Sequence, residues 1–240
     1  MKAPTSRWFF ILFFIMGSAS SAQAQVTYDL RTDWSDVLNP NGVWTYSQGI
    51  VPSPLPSGTW SSDFTPQTAW VGSFPTVWMR TQSTAGFDVQ VGDIVTHSST
   101  TTGFTTSTVI WTSPATGTVD IDGGVWMIRD IGRFTHWELS KNIFGTFFSD
   151  GFFSSGAPYN RANPFNLDNG TGGTLDSIPI NAGDKISLSF LVGGQFGDYD
   201  GVNLSITLTA VPEPSVLVLV NMGLGAGAVF IYRRRKNRVW

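Results

Sequence analysis

The 240-residue chain contains no cysteine, only two histidines, and few charged residues, 13% of its length. Without cysteine there is no disulfide framework and no thiolate chemistry. His97 and His136 alone cannot complete a metal centre. There is no Gly-x-Ser-x-Gly elbow, no Gly-x-x-x-x-Gly-Lys loop and no His-Glu-x-x-His pair. Basic residues are scarce where a polyanion would need them. Residues 25–211 carry 16 acids against 7 bases, an excess of about nine negative charges. A nucleic-acid partner, whose phosphates call for a basic surface, is therefore not expected. Glutamate is scarcer still, with Glu138 alone in that stretch, so any carboxylate pair of the kind a glycosidase uses would need at least one aspartate.

What is present falls into three parts. Lys2 and Arg7 precede an apolar run, Trp8 to Met16, too short to span a bilayer comfortably; small residues follow and end in Ala22-Gln23-Ala24. This is the layout of a secretory signal peptide over residues 1–24, with cleavage expected after Ala24. Export through the Sec machinery and signal peptidase follows from it. At the other end, an uncharged run from Ser215 to Tyr232 is followed by Arg233, Arg234, Arg235, Lys236 and Arg238. Those positions make a helix of roughly 27 Å, close to the apolar thickness of a bilayer, about 30 Å. The basic residues, in the tail 233–240, would stay on the cytoplasmic side. Pro212 and Pro214 break any helix entering from the body.

Between these termini the sequence alternates at period two. In 185–192, Ile186, Leu188, Phe190 and Val192 share one face, and Lys185, Ser187 and Ser189 the other. Residues 203–209 repeat the pattern with Leu204, Ile206 and Leu208. Further strands are expected at 26–30, 43–46, 76–80, 105–112, 117–121, 125–128, 134–139 and 175–180. Turns are expected at Asn39-Pro-Asn-Gly42, Asp122-Gly-Gly124, Asn169-Gly170 and Ala182-Gly-Asp184, and long loops at 49–59 and 97–106. Short strands divided by Gly, Pro and Asn imply an all-β body, residues 25–211, built as a two-sheet antiparallel β-sandwich or jelly roll.

The candidate chemistry of the body is sparse. Its eight tryptophans could stack on sugar rings or fill a core. Trp111 lies on an apolar strand face and is expected in the core. Trp60 and Trp70 flank the polar run Ser61–Pro66 and are the candidate exposed sugar-stacking residues. His136 and Glu138 share one face of a strand and read as a solvated polar face. Asp198 and Asp200 in Asp198-Tyr-Asp200-Gly201-Val-Asn203 are the candidate metal residues, although the spacing departs from an EF-hand loop. No cofactor is expected; a structural calcium is compatible with such a fold.

Val211-Pro212-Glu213-Pro214-Ser215, the glycine-containing span (Gly223, Gly225, Gly227) and the arginine-rich end, in that order at the terminus, resemble the PEP-CTERM sorting signal of bacterial surface and matrix proteins. The resemblance covers residues 212–240. It implies that Pro212, Glu213 and Pro214 are read by an exosortase, which removes the helix 215–232 and the basic tail. It also implies an inner-membrane-anchored precursor in a Gram-negative bacterium, released to the envelope, surface or extracellular matrix and associated with exopolysaccharide. The body resembles a galactose-binding-like β-sandwich domain found in such proteins. The matching motifs are Asp33-Trp34-Ser35 with Asn39–Tyr46, Val109-Ile-Trp111-Thr-Ser-Pro114-Ala-Thr-Gly117, Ala182-Gly183-Asp184-Lys-Ile186 and Asp198-Tyr-Asp200. His97 departs from the family pattern, being followed by Ser98 rather than proline. Three roles are compatible with these features: a non-enzymatic matrix protein, a carbohydrate-binding module and a glycan-active hydrolase.

Overall fold

A computed structural model describes residues 24–49, 53–73, 76–97, 106–142, 147–154, 159–192 and 197–211. The signal-peptide residue Ala22, the processing residues Pro212, Glu213 and Pro214, and the cations Arg233, Arg234, Arg235, Lys236 and Arg238 lie outside them, as does the expected helix 215–232. Among the described residues no helix is long and apolar enough to cross a membrane.

Fifteen strands are described. In chain order the first five are β1 (Gln25–Asp29), β2 (Trp44–Gln48), β3 (Ser53–Pro54), β4 (Ser57–Trp60) and β5 (Gln67–Val71). Next come β6 (Val77–Arg80), β7 (Ile94–His97), β8 (Ser107–Thr112), β9 (Gly117–Met127) and β10 (Phe134–Lys141). The last five are β11 (Phe147–Ser154), β12 (Phe165–Asn166), β13 (Ile178–Ile180), β14 (Lys185–Val192) and β15 (Tyr199–Ala210). One sheet runs β12-β9-β15-β7-β6-β5-β4, with β1 added beside β15 and β13 beside β9; the other runs β11-β10-β14-β8-β2-β3. Every pairing is antiparallel. The body is an all-β, two-sheet sandwich.

The alternation predicted for β14 and β15 is realised. Ile186, Leu188 and Phe190 meet Leu204, Ile206 and Leu208 in one core, together with Trp44, Trp78, Trp111 and Trp137. A smaller apolar cluster covers part of the outer face of the nine-stranded sheet: Trp60, Phe64, Met79, Val95, Trp126 and Tyr199. That sheet is thus buried on both faces at one end. At the other end its outer face carries Asp122, Asn203, Ser205 and Thr207.

Several expectations are corrected. Residues 49–59 are not one long loop, because β3 and most of β4 fall within them. His97 ends β7 and is 5% exposed; residues 98–105 lie outside the described set. The expected turn at Asp122-Gly-Gly124 is the middle of the continuous strand β9, which pairs with β15 from Gly117 to Met127. The glycines are needed there for close approach. A Cβ on Gly123 would lie 2.2 Å from the Asn203 carbonyl oxygen of the neighbouring strand. The strand expected at 175–180 shortens to β13, Ile178–Ile180. The turns at Gly42 and Gly183 do form, with φ of +56° and +85°.

Candidate functional site

The open end of the nine-stranded sheet forms the floor of a cleft of about 600 Å³. Register places Asp29, Ser205 and Asp122 in one row across β1, β15 and β9, and Asn203, Gly124 and Asn166 in the next across β15, β9 and β12. Inward-facing Ile121, Leu204 and Ile206 hold these strands in the core, so period-two alternation sends the polar side chains outward. Asn163, Pro164 and Asn169 complete the wall. Asp122, Asn163, Asn166, Asn169 and Asn203 are all exposed. The lining holds two carboxylates, four side-chain amides and one hydroxyl, with no cation and no aromatic ring.

The wall is fixed by charge. Arg161 donates from Nε to Asp93 Oδ2 at 2.5 Å and from Nη2 to Asp93 Oδ1 at 3.0 Å, while its backbone amide donates to Asp88 Oδ2 at 2.7 Å. Burial pulls the Asp93 carboxyl upward, but hydrogen bonds from Arg161 and the Gln90 amide, with the charges of Arg161 and Arg31, outweigh it and leave the group below its usual range. The wall then rests on glycine: a Cβ on Gly124 would lie 3.0 Å from the Phe165 carbonyl oxygen and from the Pro164 ring. The short 3₁₀ helix Leu167–Asn169 continues it, capped by Asn166 accepting from the Asp168 amide. Burial and the charges of Asp176 and Asp122 raise the Asp168 carboxyl, marking an acidic field around this edge.

Such a lining suits a neutral, polyhydroxylated ligand. Amides donate and accept, carboxylates accept from hydroxyls, and the acidic field disfavours anions. As catalytic machinery it is less apt. Asp29 Oδ1 is occupied by the backbone amides of Arg31 and Thr32 at 3.1 and 2.8 Å, so that carboxylate is built into a turn.

The sequence-derived sugar-stacking residues are elsewhere. Trp60 and Trp70 are 5% and 3% exposed, which overturns their expected exposure. Their polar neighbours Ser61, Ser62, Asp63, Thr65 and Pro66 are exposed at the tip of the β4–β5 hairpin, but both indole rings are buried. Trp70 packs in the inter-sheet core and donates to the Ser35 carbonyl, while Trp60 joins the smaller cluster and donates to Tyr199 Oη at 2.9 Å. All eight body tryptophans are buried, Trp111 among them as expected.

The candidate metal residues Asp198 and Asp200 are hydrogen-bonded within the protein. Asp198 Oδ1 accepts from Arg129 Nε at 2.5 Å and from the Tyr199 amide at 2.8 Å. Asp200 points between the sheets and accepts from Thr135 Oγ1 at 3.0 Å. Burial, only partly countered by Thr135 and reinforced by Asp198, raises the Asp200 carboxyl well above its usual range. Among the described residues no group of three or more His, Asp or Glu is placed to hold a metal ion.

His136 and Glu138 do face outward, as predicted, on β10. Opposite them across β11 lie Phe152 and Asp150. The His136 Nε2 is 3.1 Å from Asp150 Oδ2 and 3.9 Å from Glu138 Oε1. Sequence reasoning missed the cleft because Asn163, Asn166 and Asn169 sit in a segment with no periodic signal. The outward positions of 203–209 were the one visible clue.

No family model matches the chain, and no curated protein matches it. Among solved structures, a family 11 carbohydrate-binding module of the cellulosomal cellulase Lic26A-Cel5E of Clostridium thermocellum is similar at 13% identity and a TM-score of 0.30, over 81% of this chain and 99% of that one. A family 11 carbohydrate-binding module from Clostridium thermocellum in complex with a β-1,3-1,4-mixed-linked tetrasaccharide is similar at 12% identity and a TM-score of 0.30, over 80% and 100%. At this level of similarity neither assigns a ligand or a residue role to this chain.

Proposed function

We propose that the body is a non-catalytic, glycan-binding β-sandwich of an exported protein. The observation that carries this is the cleft lined by Asp122, Asn163, Asn166, Asn169, Asn203 and Ser205 over a glycine floor. Affinity electrophoresis of the purified protein through gels containing neutral polysaccharides tests it. Retardation should fall roughly fivefold in Asn203→Ala and in Asn166→Ala, each removing a hydrogen-bonding group worth about 1 kcal/mol. Equal mobility of both variants and the parent would overturn the reading. Release of reducing ends by the parent but not by Asp122→Asn would replace it with a hydrolase.

Sorting belongs to the same proposal and rests on the sequence of the two termini. The signal peptide directs export, and the segment 212–240 holds the precursor in the inner membrane until exosortase cuts near Glu213. Mass spectrometry of the mature C-terminus in hosts with and without exosortase tests it. An arginine cluster retained in both would sink the idea.

A further inference from the structure

The outer face of the six-stranded sheet carries a feature that the cleft does not use. Along β10, Trp137 and Leu139 enter the core, so Phe134, His136 and Glu138 stand on the opposite side. The cross-strand partners of His136 and Glu138 are Phe152 and Asp150. The imidazole and the Phe152 ring lie face to face, centroids 4.2 Å apart and planes 7° apart. Phe152 is nevertheless 61% exposed, and Phe134 is 44% exposed. With every body tryptophan buried, Phe134 and Phe152 are, among the described residues, the large rings this sheet exposes to solvent.

The platform is preorganised. Asp150 holds the imidazole through Nε2 and is itself held by Thr171, whose hydroxyl donates to its carboxylate and whose amide donates to its carbonyl. A ring fixed before binding loses little freedom on contact. Next to this ring pair in the register lie Glu138 and Asp150, whose carboxylates accept from hydroxyls and repel anions. An aromatic face beside hydroxyl acceptors fits the apolar face and equatorial hydroxyls of a neutral pyranose.

We propose that Phe152, stacked on His136 and flanked by Glu138, Asp150 and Phe134, is a second glycan-binding surface. Because it lies on the opposite sheet from the cleft, the protein bridges two polysaccharide chains. This rests on the glycan-binding reading of the cleft. The segment from Asn166 to Thr171 contributes to the cleft wall and braces Asp150, so the two surfaces are held in fixed relation.

The test uses the purified protein, galactomannan, hydroxyethylcellulose and the host's own exopolysaccharide, with affinity electrophoresis for binding and turbidity for cross-linking. Phe152→Ala, at unchanged Tm, should abolish the turbidity and weaken gel retardation roughly tenfold, while Phe152→Tyr keeps both. The pair Asn166→Ala/Asn203→Ala should also abolish turbidity yet leave retardation that Phe152→Ala then removes. If Phe152→Ala matches the parent in both assays while the cleft pair loses binding, this proposal fails and the cleft reading stands. If the cleft pair has no effect and Phe152→Ala abolishes binding, the cleft reading fails and the platform is the site. A dimer that dissociates on Phe152→Ala in sedimentation, or no binding to any of the three polysaccharides, overturns the proposal.

Discussion

Asp200 shows how much a single residue can depend on its surroundings. It sits wholly inside the sandwich opposite Thr135, with a carboxyl held toward the protonated form. The folded state therefore keeps a proton that the unfolded chain releases above about pH 3.8, the ordinary value. Stability from this group is complete below that value and declines as pH rises toward the folded pKa. Asp184 acts in the opposite direction. The Asn181 amide and Lys141 lower its carboxyl to about 2, so its contribution is present above pH 3.8 and is lost as pH falls toward 2. Thermal melts should accordingly peak in mildly acidic buffer, and Asp200→Asn should flatten the alkaline side of that profile; an unchanged slope would show that Asp200 is ionised in the fold. None of this was visible from sequence, where Asp198 and Asp200 read as candidate metal residues. The tryptophans misled for the same reason. Polar flanks at 61–66 say nothing about which faces of a hairpin the rest of the chain covers. Trp111→Ala should cost about 3–5 kcal/mol in denaturant melts, the usual figure for emptying a buried aromatic site.

Elements were legible in proportion to the regularity of their pattern. The alternating stretches 185–192 and 203–209 both formed strands, although β15 begins four residues earlier than expected, at Tyr199, and its residues 199–202 are all buried. By contrast, β11 pairs apolar residues side by side in Phe-Phe-Ser-Asp-Gly-Phe-Phe-Ser, and the short β5 and β7 carry buried residues on both faces, so no period-two signal marks them. The glycine pair in β9 looked like a turn because glycine serves turns and close packing alike. Its role here is testable. Gly123→Ala would drive a methyl into the Asn203 carbonyl and should destabilise the protein by about 3 kcal/mol, the upper end of ordinary overpacking. The wall of the cleft depends on a different element-level device, the Arg161–Asp93 fork. Arg161→Ala should cost about 1.5–3 kcal/mol and lower glycan affinity, and Arg161→Lys should restore only part of either, because an ammonium cannot make the paired bonds. Calorimetry with matched gel retardation would read both.

At the scale of the whole molecule, the all-β, two-sheet character of the body was plain in the sequence, whereas the cleft depended on segments distant in the chain. Asp29, Asp122, Asn166 and Asn203 meet only because β12, β9, β15 and β1 lie side by side. The same arrangement brings the two ends of the body together: Gln25 is opposite Thr209, and the Ala210 amide donates to the Ala24 carbonyl at 3.0 Å. A body that starts at Gln25 instead of Ala24 loses that bond, worth about 1 kcal/mol, and should melt roughly 2–4 °C lower, a difference that scanning calorimetry resolves. The chain leaves the sandwich along β15, which is zipped to β9 over eleven residue pairs and further clasped by β1 and β7. A tug from the C-terminal side therefore runs lengthwise down this strand and must shear many bonds at once instead of peeling them singly. A body pulled by the end of β15 would hold its shape under load.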